Sequence, residues 1–281
     1  MAVVDLFSFN GEFEVLELRL NILDKAVDQF ILCEGDETTA GVPKVRYFES
    51  QKARYAKWLP KIKYHIMTPF SDPLMQAFAQ AYLPIPIEQH WWHREFIQKE
   101  SMRYALTHLR DDDTVFVGDV DEVWDPTLTY PPGRWELEQT VYTYFLDNKS
   151  SEYWTGTSVM PYRDIRQNTL DNLRAYDERR RHMWAPKMKS GWHFTNIGGA
   201  EFVKRKIRSY AHQEFNHPQI LAGVDRAIAL NRDYLGRDFQ LGVDTNDWPE
   251  YLKKHRSDWT HLCKGVGIKV NRRPGVVPDE N

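Results

Sequence analysis

The strongest constraint on the fold is an alternation in the first half of the chain. Four apolar runs short enough to be strands, "AVVDLFSF" (2–9), "QFILCEG" (29–35), "IKYHIM" (62–67) and "TVFVGDV" (114–120), are separated by segments with helical spacing. Phe13, Leu16, Leu20, Leu23 and Val27 recur every three or four residues and predict a helix over 12–25. A short helix is expected over 50–59, and a long one over 88–109 with Trp92, Phe96, Ala105, Leu106 and Leu109 inward. Strands that alternate with helices need crossover connections, so the expected class is α/β, a mostly parallel central sheet flanked by helices. The second half reads as mixed, with strands at 140–147 and 190–197 and helices at 199–211 and 221–235 completing the sheet and shaping an acceptor pocket. A single domain over 1–268 is followed by the proline-bearing tail 269–281, which has no periodic pattern and should be extended or mobile.

In an open parallel sheet, ligands bind beyond the carboxyl ends of the strands, where strand order reverses. The fourth apolar run delivers Asp119, Asp121 and Glu122 there, in "VFVGDVDEVW". On an extended chain, residues 119 and 121 point to the same side. Two hard oxygen ligands suit Mg2+ or Mn2+, ions that keep water and share phosphate oxygens with a substrate, so the pair reads as a bridge to a diphosphate. A turn whose acids cap the next segment is the plainer alternative. Two enzyme classes use such a pair. Haloacid-dehalogenase-type phosphatases carry Asp-x-Asp-x-Thr/Val, which "DVDEV" satisfies, with Asp119 as nucleophile and Asp121 as acid/base. Their motif belongs on the first core strand, whereas three expected strands precede it here. Metal-dependent glycosyl transfer, in which the pair follows a nucleotide-binding strand–helix half, fits the order of elements; a non-catalytic sugar-binding module that kept the fold is a third reading.

The net charge of -3 supplies no broad basic surface and argues against nucleic acid as a partner. One local basic stretch, "ERRRHMWAPKMK", with Arg179, Arg180, Arg181, Lys187 and Lys189, is either a solvated loop or a clamp for a diphosphate or anionic acceptor. No window reaches the roughly 18 apolar residues of a membrane span, and the first ten residues lack a basic segment followed by a long apolar one. Cys33 and Cys263 cannot build a disulfide framework. The expectation is a cytoplasmic, reducing location. Trp91, Trp92, Trp154, Trp184 and Trp192 should be mostly core, with one or two lining an acceptor site as platforms for sugar rings.

The blocks "DLFSFNGEFEVLELRLNIL", "FILCEGDETTAGVPKVRYF", "HREFIQKESMRYAL", "VFVGDVDEVWDP", "YWTGTSVM" and "SGWHFTNIGGAEFVKRKIRSYAHQEF", in that order, resemble glycosyltransferase family 17, the family of the β-1,4-mannosyl-glycoprotein N-acetylglucosaminyltransferase. The resemblance implies a GT-A-type nucleotide-sugar-binding fold, an inverting transfer, a UDP-sugar as donor with Mn2+ or Mg2+, and a glycan as acceptor. The chain departs from the family pattern in "NGE" at 10–12, where Asn-Glu is usual, and at Asp36, where asparagine is usual. Sugar specificity is therefore not carried over, nor is an N-glycan acceptor.

Within that frame, Asp119 and Asp121 are expected to hold the metal, with His212 as the first choice for a further ligand and His193 as the second. The base that deprotonates the acceptor hydroxyl is expected at Glu214, with Glu95 and Glu122 as alternatives; Glu122 alternates away from the metal side of an extended strand. Donor contacts are expected from Phe9, Asn10 and Glu12 in the first block, from Glu34, Thr38 and Lys44 in the second, and from Arg94, Asp119 and Gly198. Glu34 could instead form a structural ion pair with Lys44, Arg94 a helical contact with Gln98, and Gly198 a plain turn.

Overall fold

A computed structural model describes residues 1–83, 85–86, 90–174 and 185–264. Arg179, Arg180, Arg181, Trp184, the start of the expected 88–109 helix and the tail 269–281 lie outside the described residues. Three of the four expected strands bury side chains on both faces, while β3 (Ile62–Ile66) is half-buried and packs Ile62 and Tyr64 against one. In β1 (Val3–Ser8), Val4 and Leu6 join one apolar cluster and Phe7 the other. β2 (Gln29–Glu34) splits Ile31 and Cys33 from Phe30 and Leu32 in the same way. After β3 (Ile62–Ile66), β4 (Thr114–Asp119) repeats the split with Val115 and Val117 against Phe116. Leu16, Leu20 and Leu23 of the Phe13–Leu23 helix cover one face, and Met102, Leu106, Ile165 and Leu170 cover the other.

β1, β2, β3 and β4 are parallel, as expected. Beyond β4 the sheet is mixed. β5 (Glu122–Val123), β6 (Trp135–Thr143), β7 (Asn148–Pro161), β8 (Lys187–Thr195) and β9 (Leu241–Val243) bring the described sheet to nine strands, in the order β3-β2-β1-β4-β7-β6-β8-β5 with β9 on β7. β7 is antiparallel to β4, β6 and β9, and β5 to β8; only β6 and β8 add a parallel pair. A mostly parallel sheet therefore describes only the first half.

Several expected elements shift. The 50–59 helix is a 3-10 helix over Lys52–Lys61 with Pro60 inside, whose ring removes an α-type hydrogen bond. The 88–109 helix is α-helical over His90–Ser101 and tightens to 3-10 at Met102–Leu106. The 140–147 strand lies at 135–143, and 190–197 at 187–195. Helices occupy Ala200–Ser209 and Pro218–Ala229, close to expectation. Both cysteines are buried free thiols; burial raises the Cys33 thiol, and pushes that of Cys263 up to about 12. Among the described residues no helix is long and apolar enough to cross a membrane.

Strand order turns back at β1: β2 and β3 lie on one side of it and β4 on the other. Ser8 and Asp119, the last residues of β1 and β4, are register partners. The acidic segment thus begins at the switch point of the sheet, where this class of fold opens a crevice.

Candidate active site

The backbone of the acidic segment is held from beneath by an arginine. Arg19 is fully buried and forms a bidentate pair with Asp5 of β1, Nε to Oδ2 at 2.8 Å and Nη2 to Oδ1 at 2.7 Å. Its Nη1 donates to the carbonyls of Asp119 (3.0 Å), Val120 (3.3 Å) and Glu122 (2.7 Å). Trp124 Nε1 also donates to Asp5 Oδ1 at 3.0 Å. One guanidinium therefore satisfies the carbonyls of a turn that leaves the ladder at Asp119, and a buried carboxylate balances its charge. Because β4 ends at Asp119 and a turn occupies 120–121, strand alternation does not continue to Glu122. The expectation that Glu122 points away from the pair is corrected accordingly: its Oε2 accepts the Asp119 amide at 2.9 Å.

Each acid in the turn meets a cation. Asp119 accepts from Ser8 Oγ at 2.7 Å and from both Arg174 Nη atoms at 3.4 Å. Arg174 also donates to Glu122 Oε2 at 2.8 Å. Asp121 Oδ2 accepts from Lys206 Nζ at 2.8 Å and lies 3.5 Å from His193 Nε2. Burial pushes both aspartates toward the neutral form, but Arg174 and Lys99 at Asp119, and Lys206 and His193 at Asp121, outweigh it and hold both below the usual carboxylate range. Burial likewise opposes the charge on Lys206, and Asp121 and Glu12 outweigh it, so its ammonium is raised. Glu12 goes the other way: burial raises it despite Lys206. Asp119 and Asp121 are therefore ionised oxygen donors at neutral pH.

The sequence singled out neither Arg174, Lys99 nor Lys206. Lys206 carried one signal, a position three residues after the buried Val203 and one before the buried Ile207, at the edge of the inward face of its helix. Arg174 had none, since the loop that brings it back belongs to no periodic segment.

The other expected residues divide. His193, the second choice as a metal ligand, stands at Asp121, whereas His212 bonds Glu214 Oε1 at 2.7 Å, both half exposed, with the His212 ring 4.7 Å from Trp92. Among the described residues no hydrogen bond or ion pair joins His212 or Glu214 to Asp119 or Asp121. Glu95 pairs with Lys99, a cation that acts on Asp119. Glu34 is fully buried and accepts from Lys44 Nζ (2.7 Å), the Tyr47 and Phe48 amides (2.6 and 3.1 Å) and Tyr64 OH (2.9 Å). This is the structural ion pair, and it leaves Glu34 and Lys44 anchoring the 36–50 loop rather than presented to a ribose. Phe9 is core, 1 % exposed and edge-on to Phe13 at 5.8 Å. Asn10 bonds Ser209 Oγ at 3.2 Å, and Glu12 Oε2 accepts the Asn10 amide at 2.9 Å. Thr38 closes its own loop onto Val42. Arg94 lies 3.6 Å from Glu37 and stacks on Phe70; Gln98 bonds the Glu37 carbonyl, so the helical contact between Arg94 and Gln98 is replaced by a shared loop partner. Gly198, with φ +132°, and Gly199, with φ +86°, form the turn that opens the Ala200–Ser209 helix.

Mn2+ and Mg2+ need few protein ligands because they retain water. Among the described residues no group of three or more His, Cys, Asp or Glu side chains is gathered into a ready metal cage. The donor chemistry nevertheless fits: two ionised carboxylates, with an imidazole 3.5 Å from one of them, in surroundings that already attract cations.

Residues 1–130 match the sequence model of Glycosyltransferase family 17. The chain is similar to that family over those residues. It is 23% identical over 245 residues to the beta-1,4-mannosyl-glycoprotein 4-beta-N-acetylglucosaminyltransferase of Homo sapiens, covering 76% of this chain and 44% of that protein. The Rattus norvegicus enzyme of the same name matches at 23% over 245 residues, with 43% of its length covered. The chain thus spans less than half the length of these relatives. The family-matched residues contain β1 to β5, and so Arg19, Glu95, Lys99, Asp119, Asp121 and Glu122; Arg174, His193 and Lys206 come from beyond them.

Proposed function

We propose that this protein is an inverting glycosyltransferase that moves a sugar, N-acetylglucosamine being the first candidate, from a nucleoside diphosphate to a glycan acceptor with the help of Mn2+ or Mg2+. The observation that carries the reading is the ionised Asp119 and Asp121 at the switch point of the sheet, with Lys99, Arg174 and Lys206 arrayed around them. The relatives' names support the sugar, and the family match supports the class.

In this reading Asp119 and Asp121, with His193, hold the metal. When bound, the ion neutralises charge on the departing diphosphate as a Lewis acid. The chain's own cations serve the same end: Arg174 presents a planar fork suited to phosphate oxygens, and Lys206 a mobile point charge. Arg19 fixes the turn, so the carboxylates do not reorganise as the donor enters. The base removes a proton from the acceptor hydroxyl as that oxygen attacks the anomeric carbon from the face opposite the leaving group. We assign it to Glu95. Glu122 is engaged on both oxygens, by Trp154, Arg174 and the Asp119 amide, and Glu214 is bonded to His212, with no hydrogen bond or ion pair to the acidic turn among the described residues.

Thermal denaturation with UDP, UDP-N-acetylglucosamine and Mn2+ tests the assignment. A rise in melting temperature with nucleotide and metal together is expected, and it should vanish in Asp121→Ala. No shift with any nucleotide would overturn the reading. Glu95→Gln should keep the donor-induced shift and lose turnover at least a hundredfold, whereas Glu214→Gln should lose less than tenfold.

A further inference from the structure

A second opening lies away from the acidic turn, on the solvent side of the helix that Arg19 fastens from within. It is a cleft of about 230 Å3. One wall is Glu14 and Glu17 of the Phe13–Leu23 helix with Arg54 of the Lys52–Lys61 3-10 helix. The other is Tyr251, Asp258, Trp259 and His261, from the last described helical turns. Arg54 takes one oxygen of each glutamate, Nε to Glu17 Oε2 at 2.8 Å and Nη1 to Glu14 Oε1 at 3.3 Å. Glu17 Oε1 and Glu14 Oε2 accept no hydrogen bond among the described residues, and Asp258, which is exposed, accepts only from Ser257 Oγ at 3.2 Å. Three carboxylates against one guanidinium leave two negative charges in excess. The aromatic wall carries an unmet donor. Trp259 is 4 % exposed, and its Nε1 makes no hydrogen bond among the described residues, which costs free energy until something accepts from it. Burial raises the Tyr251 phenol, and the Trp259 N–H beside it acts the other way without the geometry of a hydrogen bond. Asp258 and Glu17 both act on that phenol as well, so the two walls converge at Tyr251.

We infer that this cleft is a second binding site, for an amino sugar with a free ammonium: the ammonium sits among Glu14, Glu17 and Asp258, and a hydroxyl or ring oxygen enters between Tyr251 and Trp259 to accept from the indole N–H. The excess of carboxylate calls for a cation, and aromatic walls add to the attraction. A bare metal ion is the poorer match, because among the described residues no three acidic, histidine or cysteine side chains are gathered to hold one. A plain amine would satisfy the charge and leave the indole donor unmet; a hydroxylated one satisfies both. The space suits one ring, since pockets for drug-sized ligands start at about 300 Å3. The site is separate from the acidic turn. Among the described residues no hydrogen bond or ion pair joins its lining to Asp119, Asp121 or Glu122, and Arg19, on the same helix as Glu14 and Glu17, points to the buried side. The inference therefore does not depend on the transferase reading.

The test is binding to the full chain at pH 7, followed by calorimetry and by the Trp259 indole N–H resonance, which Trp259→Phe identifies. Glucosamine should bind at least tenfold more tightly than N-acetylglucosamine, the same ring without the charge, and should move the Trp259 resonance. Putrescine, an amine without oxygens, should bind more weakly than glucosamine and leave that resonance in place. Asp258→Asn and Glu14→Gln, both at exposed positions, should each weaken glucosamine at least threefold. Arg54→Met removes the resident cation and should tighten it by a similar factor. Equal affinity for the charged and the acetylated ring would overturn the ammonium assignment, as would tighter binding of glucuronate or a loss of affinity in Arg54→Met. Putrescine binding as tightly as glucosamine with the Trp259 resonance unmoved would make the cleft a site for plain amines and overturn the sugar. Absence of binding by any of the three amine and sugar probes would overturn the site altogether. The melting shift with UDP and Mn2+ should be the same in all these variants as in wild type, so a failure of the transferase reading is seen separately.

Discussion

Asp121 shares one oxygen between an ammonium and an imidazole, and that competition has measurable consequences. Lys206 sits 2.8 Å from the oxygen that a divalent ion would want, so Lys206→Met removes a rival cation. Mn2+ alone should then bind several-fold more tightly by EPR titration, while UDP, deprived of a positive partner, should bind at least tenfold more weakly. A change of the same sign in both affinities would show that Lys206 does not exchange between the carboxylate and the phosphate. His193 has its Nδ1 buried and without a hydrogen-bond partner among the described residues, and its Nε2 faces Asp121. Replacing it with alanine should weaken Mn2+ by EPR at least tenfold, and the same change at His212 less than threefold. The reverse order would return the ligand role to His212.

At the level of elements, Arg19 is the peg that fastens the Phe13–Leu23 helix to β1 and to the acidic turn together. Arg19→Met keeps the length of the side chain but strands the Asp5 carboxylate and orphans three carbonyls. The expected cost is about 3–5 kcal/mol by urea denaturation, with most of it recovered in an Asp5→Leu/Arg19→Met double variant, since replacing both partners of a buried pair is far cheaper than removing one. Additive single effects would show that the guanidinium acts mainly through the carbonyls. Helix 13–23 and strands β1 to β4 were legible because their apolar residues keep a period of 3.6 or line both faces of a parallel sheet. The carboxylate pair was legible because it interrupts such a run. β7 was not: its first half, "NKSSEYW", has no apolar residue before Tyr153 and is exposed from Ser151 to Trp154, and it becomes a strand by pairing with β4, β6 and β9 rather than by its own pattern. Since β7 went unread, so did the Glu122–Trp154 contact that it creates. Arg174 was illegible for a similar reason, as nothing local marks a cation that will meet an acid dozens of residues away, and Lys206 offered only its place at the edge of a helix's inward face.

Across the whole molecule, two sets of carboxylates shape stability against pH in opposite directions. Asp119 and Asp121 are held below their ordinary range, so what they contribute is present above about pH 4 and lost as acid protonates them in the fold. Glu100 behaves the other way. It is 2 % exposed on the inner face of the His90–Ser101 helix, accepts the Asp171 amide at 3.0 Å, and burial, only partly offset by Arg103 at 3.1 Å, pushes it up from its ordinary 4.5 to about 7. The fold therefore prefers this carboxyl protonated. Its contribution is fully present below about pH 4.5 and is lost as pH rises to 7, a change of roughly 3 kcal/mol at most. Glu12 and Glu136, also raised by burial, add to the same slope. His65 and His108, lowered by burial, oppose it by losing stability as pH falls through the sixes. The histidines cancel when one variant is compared with its parent, so the difference between Glu100→Gln and wild type isolates the glutamate. Glutamine still accepts the Asp171 amide and cannot ionise, so the variant should melt several degrees higher than wild type at pH 8 and within about a degree of it at pH 5. An equal offset at both pH values would mean that Glu100 stays ionised throughout and that Arg103, not burial, governs its charge.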